Sequence, residues 1–156
     1  MPPIIAVSGG FDIFHNGHAD YLLAAGAYGD VVVLLNSDAW LLRKKKYVFM
    51  NYAARRKVMS SIKGVIDVMP GDDSLTEDNS VSHGLRELKK KYPDQVLYFA
   101  KGGDRHQGNV PEQELCNWLG IDMIWGGGGT DKSESSSELV RRVQKRPTPC
   151  VYEDKV

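Results

Sequence analysis

Short aliphatic runs recur along the chain at Ile4 to Val7, Val31 to Leu35, Val65 to Met69, Val96 to Phe99 and Met123 to Trp125. Each is strand-length. Being continuous in character, rather than alternately apolar and polar, these runs predict a parallel sheet covered on both faces. The longer amphipathic stretches between them predict helices over about 17–27, 38–45, 52–63, 81–91 and 111–118, with a last one near 136–145. Nearly every junction carries Gly, Pro, Asn, Asp or Ser, residues that turn the chain or cap helices. Asn51 and Ser80 are expected as N-caps, Pro111 in a first helical turn, and Pro93 and Gly120 at helix ends. The alternation of strand and helix predicts a three-layer α/β fold with no internal repeat.

Composition narrows the class. The chain has 156 residues, enough for one domain, with 42% hydrophobic and 26% charged residues, which excludes a disordered tail or a fibre. We read residues 1–146 as that domain and 147–156, with Pro147 and Pro149, as an extended tail. Twenty basic residues balance twenty acidic ones. A neutral surface exerts no long-range pull on a nucleic-acid duplex or an anionic membrane, so neither is expected as a partner. The longest aliphatic run, Val31 to Leu35, is far too short to cross a bilayer. The N-terminus lacks the basic and apolar segments of a leader, and Cys116 and Cys150 form no Cys-x-x-Cys pair, so a cytoplasmic, reduced protein is expected. Cys116 is expected to pack as a small apolar residue, and Trp40, Trp118 and Trp125 as packing residues.

A sheet of this kind binds ligands outside the carboxyl ends of its strands. The first strand runs into Ser8-Gly9-Gly10-Phe11-Asp12-Ile13-Phe14-His15-Asn16-Gly17-His18, and a helix follows at once. Two glycines allow close backbone approach, and a helix start offers unpaired N–H groups to an anion. His15 and His18 can share one side of the first turn, an arrangement suited to phosphate; the competing readings are a zinc pair or two surface histidines. Neither a P-loop nor a dinucleotide glycine fingerprint is present. After the second strand, Arg43-Lys44-Lys45-Lys46 is either a solvated face or, by its position on the same edge, a source of one cation for a triphosphate. Arg55 and Arg56 project about a hundred degrees apart, so one faces the site, and we assign Arg56. Lys101-Gly102-Gly103-Asp104 follows the fourth strand as a tight turn or a ligand loop. Gly126 to Gly129 and Ser135-Ser136-Ser137 follow the fifth, the serines as caps or phosphate donors.

Together these residues resemble the cytidylyltransferase-like nucleotidyltransferases with a His-x-Gly-His signature, over about Ile5 to Arg142. Gly9 to His18 matches the opening motif. Asn36 to Ala39, Lys101 to Asp104 and Ser135 to Ser137 are similar to the adenylyltransferase domain of bacterial ADP-heptose synthases, more than to glycerol-3-phosphate cytidylyltransferase. Ala54 stands about where the family often has an acidic residue, and the lysine loop is short and lacks the usual following glycine.

The resemblance implies a Rossmann-like, doubly wound sheet of strand order 3-2-1-4-5. It also implies transfer of NMP from ATP or CTP, with Mg²⁺, to a phosphorylated sugar or polyol, releasing pyrophosphate, in a homodimer. His15 and His18 would contact the triphosphate, one of Lys44, Lys45 and Lys46 would be the mobile lysine, and Arg56 the motif arginine. Gly9, Gly10, Phe11, Asp12, Lys101, Gly102, Gly103, Asp104, Ser135 and Ser136 would bind the nucleotide. Asp12 would orient the motif or lie near the metal. The alternatives are a nucleotide-binding sensor without catalysis and a metal-binding module. The attacking phosphate monoester is largely ionised at neutral pH, so positioning and electrostatics suffice for the chemistry.

Overall fold

A computed structural model describes residues 1–102 and 112–127 of the chain. Its elements are β1 (Ile4–Gly9), α1 (Asn16–Gly26), β2 (Asp30–Leu35), α2 (Asp38–Lys45), α3 (Tyr52–Ser60), β3 (Val65–Pro70), α4 (Ser82–Lys91), β4 (Leu97–Gly102), α5 (Gln113–Leu119) and β5 (Asp122–Gly127). The strands form one sheet in the order β3-β2-β1-β4-β5, with every neighbouring pair parallel, as expected from the sequence. The topological switch point lies between β1 and β4, and their carboxyl ends define the edge where ligands bind in such sheets.

Alternation along the strands sorts the core into two layers. Ile4, Ala6, Val32, Leu34, Leu97 and Phe99 face α4 and α5, where they meet Leu85, Leu88 and Cys116. Ile5, Val7, Val31, Val33, Leu35 and Ala100 face the other way and pack with Leu22 and Ala25 of α1 and Met59 of α3. Burial on both faces explains the continuous apolar runs. Cys116 is fully buried, and burial, followed by the Glu112 charge, pushes its thiol up to about 12.

Most element ends follow local chemistry. Asn51 Oδ1 accepts from the Ala54 N–H at 2.9 Å and caps α3 as expected. Gly120 ends α5 with φ +73°, in the left-handed region that glycine tolerates. Two departures from expectation have a readable cause. α3 stops at Ser60 rather than near residue 63, where the Ser60 and Ser61 hydroxyls donate to the carbonyls of Arg56 and Val58. Ser80 does not cap α4: its hydroxyl accepts from the Ser82 N–H at 3.3 Å, while Val81 holds the cap position with no side-chain bond. Pro111, the stretch at 136–145 and the tail at 147–156 lie outside the described residues. Among the described residues, no helix is long and apolar enough to cross a membrane.

Candidate active site

The turn from β1 into α1 is held by its own side chains. His15 is the N-cap of α1, and its Nδ1 accepts from the Gly17 N–H at 3.1 Å. His18 returns the bond, its Nδ1 accepting from the His15 N–H at 3.3 Å. The two rings stack with centroids 3.8 Å apart, on one side of the first turn. An imidazole nitrogen that accepts from an N–H carries no proton, so in each ring the proton sits on Nε2. Burial, then the neighbouring His15 and Lys45, lowers the His18 pKa to about 3, which keeps that ring neutral. Phe11 packs edge-on against His18 at 4.9 Å. Tyr21 ties the helix to the sheet edge: its hydroxyl donates to the Ala100 carbonyl and accepts from the Ser8 N–H.

Asp12 is buried and orients the loop. Its Oδ2 accepts from the Phe49 N–H at 2.7 Å and its Oδ1 from the Met50 N–H at 3.1 Å. Among the described residues, no group of three or more His, Cys, Asp or Glu is placed to hold a metal ion.

The inward arginine of α3 is Arg55, not Arg56. Arg55 is 1% exposed, whereas Arg56 lies on the solvent side, so the assignment of Arg56 to the site is corrected. Arg55 Nη1 donates to the carbonyls of Gly10 and Asn36 at 3.0 and 2.7 Å, and Nε to that of Met50 at 2.8 Å. Nη2 pairs with Asp38 at 2.6 Å. One guanidinium therefore fastens the histidine loop, the end of β2, the start of α2 and the start of α3. Its helical spacing to buried Met59 is a sequence signal that singles out position 55. Asp72, unremarked in the sequence, fixes the other side of α2: its carboxylate accepts from the Ser37 N–H and hydroxyl at 2.8 and 2.6 Å, and Ser37 caps α2.

α2 delivers the lysines. Lys44 lines a cavity of about 450 Å³ at the sheet edge, together with Ser8, Gly9 and Lys101. Lys45 is the cation whose field reaches His18. Lys46 ends the helix in the left-handed region at φ 70°, exposed to solvent. Lys101 Nζ lies 3.5 Å from Ser8 Oγ and 5.0 Å from the Phe99 ring centroid. The two glycines of the opening loop have packing reasons of their own: a Cβ on Gly10 would sit 2.6 Å from Leu41 Cδ2, and one on Gly9 would sit 3.1 Å from the Phe11 ring. The tryptophans divide. Trp40 lines the cavity and donates to the Asn79 carbonyl, while Trp118 is 81% exposed and does not pack, contrary to expectation. Gly102 ends β4; Gly103, Asp104, Ser135 and Ser136 lie outside the described residues.

A family model described as cytidylyltransferase-like matches residues 6–142. Relatives include the bifunctional protein HldE of Geobacter metallireducens, 42% identical over 120 residues that make up 75% of this chain and 22% of that protein. HldE of Pseudomonas entomophila is 31% identical over 150 residues, 91% of this chain and 28% of that protein. The chain thus spans about a quarter of the length of these curated relatives. Among solved structures, a lipopolysaccharide core biosynthesis protein from Thermoplasma volcanium shares the fold with a TM-score of 0.59 at 22% identity, covering 81% of this chain and 95% of that one. The opening motif, the strand order and the extent of the family match agree: the chain belongs to the cytidylyltransferase-like family of nucleotidyltransferases.

Proposed function

We propose that the protein transfers NMP from ATP or CTP to a small phosphorylated sugar or polyol and releases pyrophosphate. The observation that carries this reading is the stacked His15–His18 pair at the α1 N-terminus, each ring holding its Nδ1 on a backbone N–H and its proton on Nε2. Such rings donate hydrogen bonds to phosphate oxygens and do not take protons from an acceptor. The N-terminal end of α1 adds a positive dipole, and Lys44 and Lys45 add mobile charge on the same edge.

In the transfer, an oxygen of the acceptor phosphate forms a bond to the α-phosphorus as the bond to the bridging oxygen of pyrophosphate breaks. The acceptor is already ionised near neutral pH, so the protein's task is orientation and charge stabilisation. Mg²⁺ bound to the triphosphate would share the charge of the departing pyrophosphate. The similarity of Asn36 to Ala39 and Lys101 to Asp104 to the adenylyltransferase domain of ADP-heptose synthases supports a phosphorylated sugar as acceptor.

The test is pyrophosphate release from MgATP, MgCTP, MgGTP and MgUTP over a panel of sugar and polyol phosphates. Turnover with one pair, lowered by about a hundredfold or more in His18→Ala, is expected. Triphosphate binding with no turnover on any acceptor supports a sensor in its place, and turnover unchanged in His15→Ala and His18→Ala overturns the assignment of the site.

A further inference from the structure

The cavity beside Lys44 lies across β1 from the helix that bears the histidines. Ser8 and Lys101, which line it, share a face with Ala6 of β1 and Phe99 of β4, the side covered by α4 and α5. Its lining is mostly polar. Among the described residues its one aromatic side chain is Trp40, which is only partly buried.

That indole is fixed from several sides. The Trp40 N–H donates to the Ser37 hydroxyl at 3.0 Å, in the first turn of α2 that Asp72 holds. The ring Nε1 donates to the Asn79 carbonyl at 3.0 Å, and at the opposite corner of the ring Cζ3 lies 3.9 Å from where a Cβ on Gly10 would stand. The ring therefore spans the gap between the opening loop and the segment that leads into α4. Lys44 lies one turn further along the same face of α2, and Lys101 near the end of β4; both line the same cavity.

A tryptophan that served packing alone would turn both faces to apolar neighbours. This ring instead shares its cavity with Ser8, Lys44, Asp78 and Lys101. A rigid apolar surface beside two cations suits a ligand with an anionic end and a flat face of C–H groups rimmed by hydroxyls. A pyranose phosphate has that form. An open-chain polyol phosphate must freeze several rotatable bonds to present the same face, whereas ring closure has already removed that freedom.

We infer that Trp40 is a specificity-determining residue of the transfer: its indole carries the carbon skeleton of the acceptor while Lys44 and Lys101 hold the phosphate end, so the site selects a ring-closed sugar phosphate over its open-chain counterpart. The inference rests on the transfer reaction proposed above.

Matched acceptors test it. The full chain is titrated calorimetrically with mannose 1-phosphate, mannose 6-phosphate and glucose 6-phosphate, with the alditols mannitol 1-phosphate and glucitol 6-phosphate, and with inorganic phosphate. Mg²⁺ and the α,β-methylene analogues of ATP and CTP are supplied in turn. At least one pyranose phosphate should bind about tenfold or more tightly than its alditol. Trp40→Leu should bring that ratio to about threefold or less while leaving inorganic phosphate affinity unchanged, and Lys101→Met should weaken all the phosphates alike. A second measurement keeps Trp40 itself: with Trp118→Phe and Trp125→Phe combined, Trp40 is the sole indole, and its emission should change on saturation with the preferred sugar phosphate and not with inorganic phosphate. Alditols that bind as tightly as the pyranoses, a preference that survives Trp40→Leu, or an indole emission indifferent to every sugar phosphate overturns the inference. Emission that responds to the triphosphate analogues alone assigns the ring to the nucleotide and also overturns it. Pyrophosphate release with an open-chain acceptor, unaltered in Trp40→Leu, overturns it while leaving the transfer reaction standing. Triphosphate binding without turnover on any acceptor overturns both.

Discussion

At the scale of single residues, His18 and Arg55 have the most to lose. The His18 pKa falls to about 3 from 6.5, so between those values the unfolded chain binds a proton that the folded chain refuses. Stability supplied by the neutral ring is complete above about pH 6.5 and drains away as pH falls through that window. The drop in melting temperature between about pH 7 and about pH 4.5 should be smaller in His18→Gln than in the unaltered protein. Thermal melting in matched buffers checks it, and equal slopes would contradict the buried, neutral state. Arg55 is a different case, since removing it strands the buried Asn36 carbonyl, the half-buried carbonyls of Gly10 and Met50, and Asp38 together. Arg55→Met should cost about 3–5 kcal/mol, and Arg56→Ala on the exposed side about 0.5 kcal/mol or less, measured by urea denaturation.

At the scale of elements, α4 packs so closely over the end of β3 that Gly84 has no room for a side chain. A Cβ there would lie 2.9 Å from the carbonyl oxygens of both Pro70 and Gly71, and backbone of that kind cannot rotate aside. Gly84→Ala should destabilise by about 1–3 kcal/mol despite alanine's better helix propensity, and chemical denaturation reads the sign directly. The same element shows where the sequence was legible and where it was not. Its stop before Pro93 followed from proline's effect on the preceding residue. Its start did not, because Ser80 spends its hydroxyl on Ser82 in the turn before the helix. The inner strands were readable because burial on both faces leaves a continuous apolar record, which Asp67 interrupts only in the edge strand β3. The orientation of α3 required weighing Arg55 against Met59 four residues on, and a buried arginine runs against the expectation that charge faces water.

At the scale of the whole molecule, the parallel order β3-β2-β1-β4-β5 gathers loops from distant parts of the sequence onto one edge. That the loops meet there was legible from strand count and connection type. The meeting of Trp40 and Lys101 in one cavity was not, since it joins the first turn of α2 to the end of β4, far along the chain. The hydrogen-bonded turn between β1 and α1 reaches beyond itself, because the His18 ring holds its Nδ1 on the His15 N–H and stays neutral down to about pH 3. For the proposed transfer, the acid limb of the rate–pH profile then belongs to the incoming reactant: it should fall near the second ionisation of a phosphate monoester, at about pH 6. Replacing the acceptor with a phosphonate, whose second ionisation lies higher, should carry the limb upward with it, whereas a limb that stays fixed would assign it to a group on the protein.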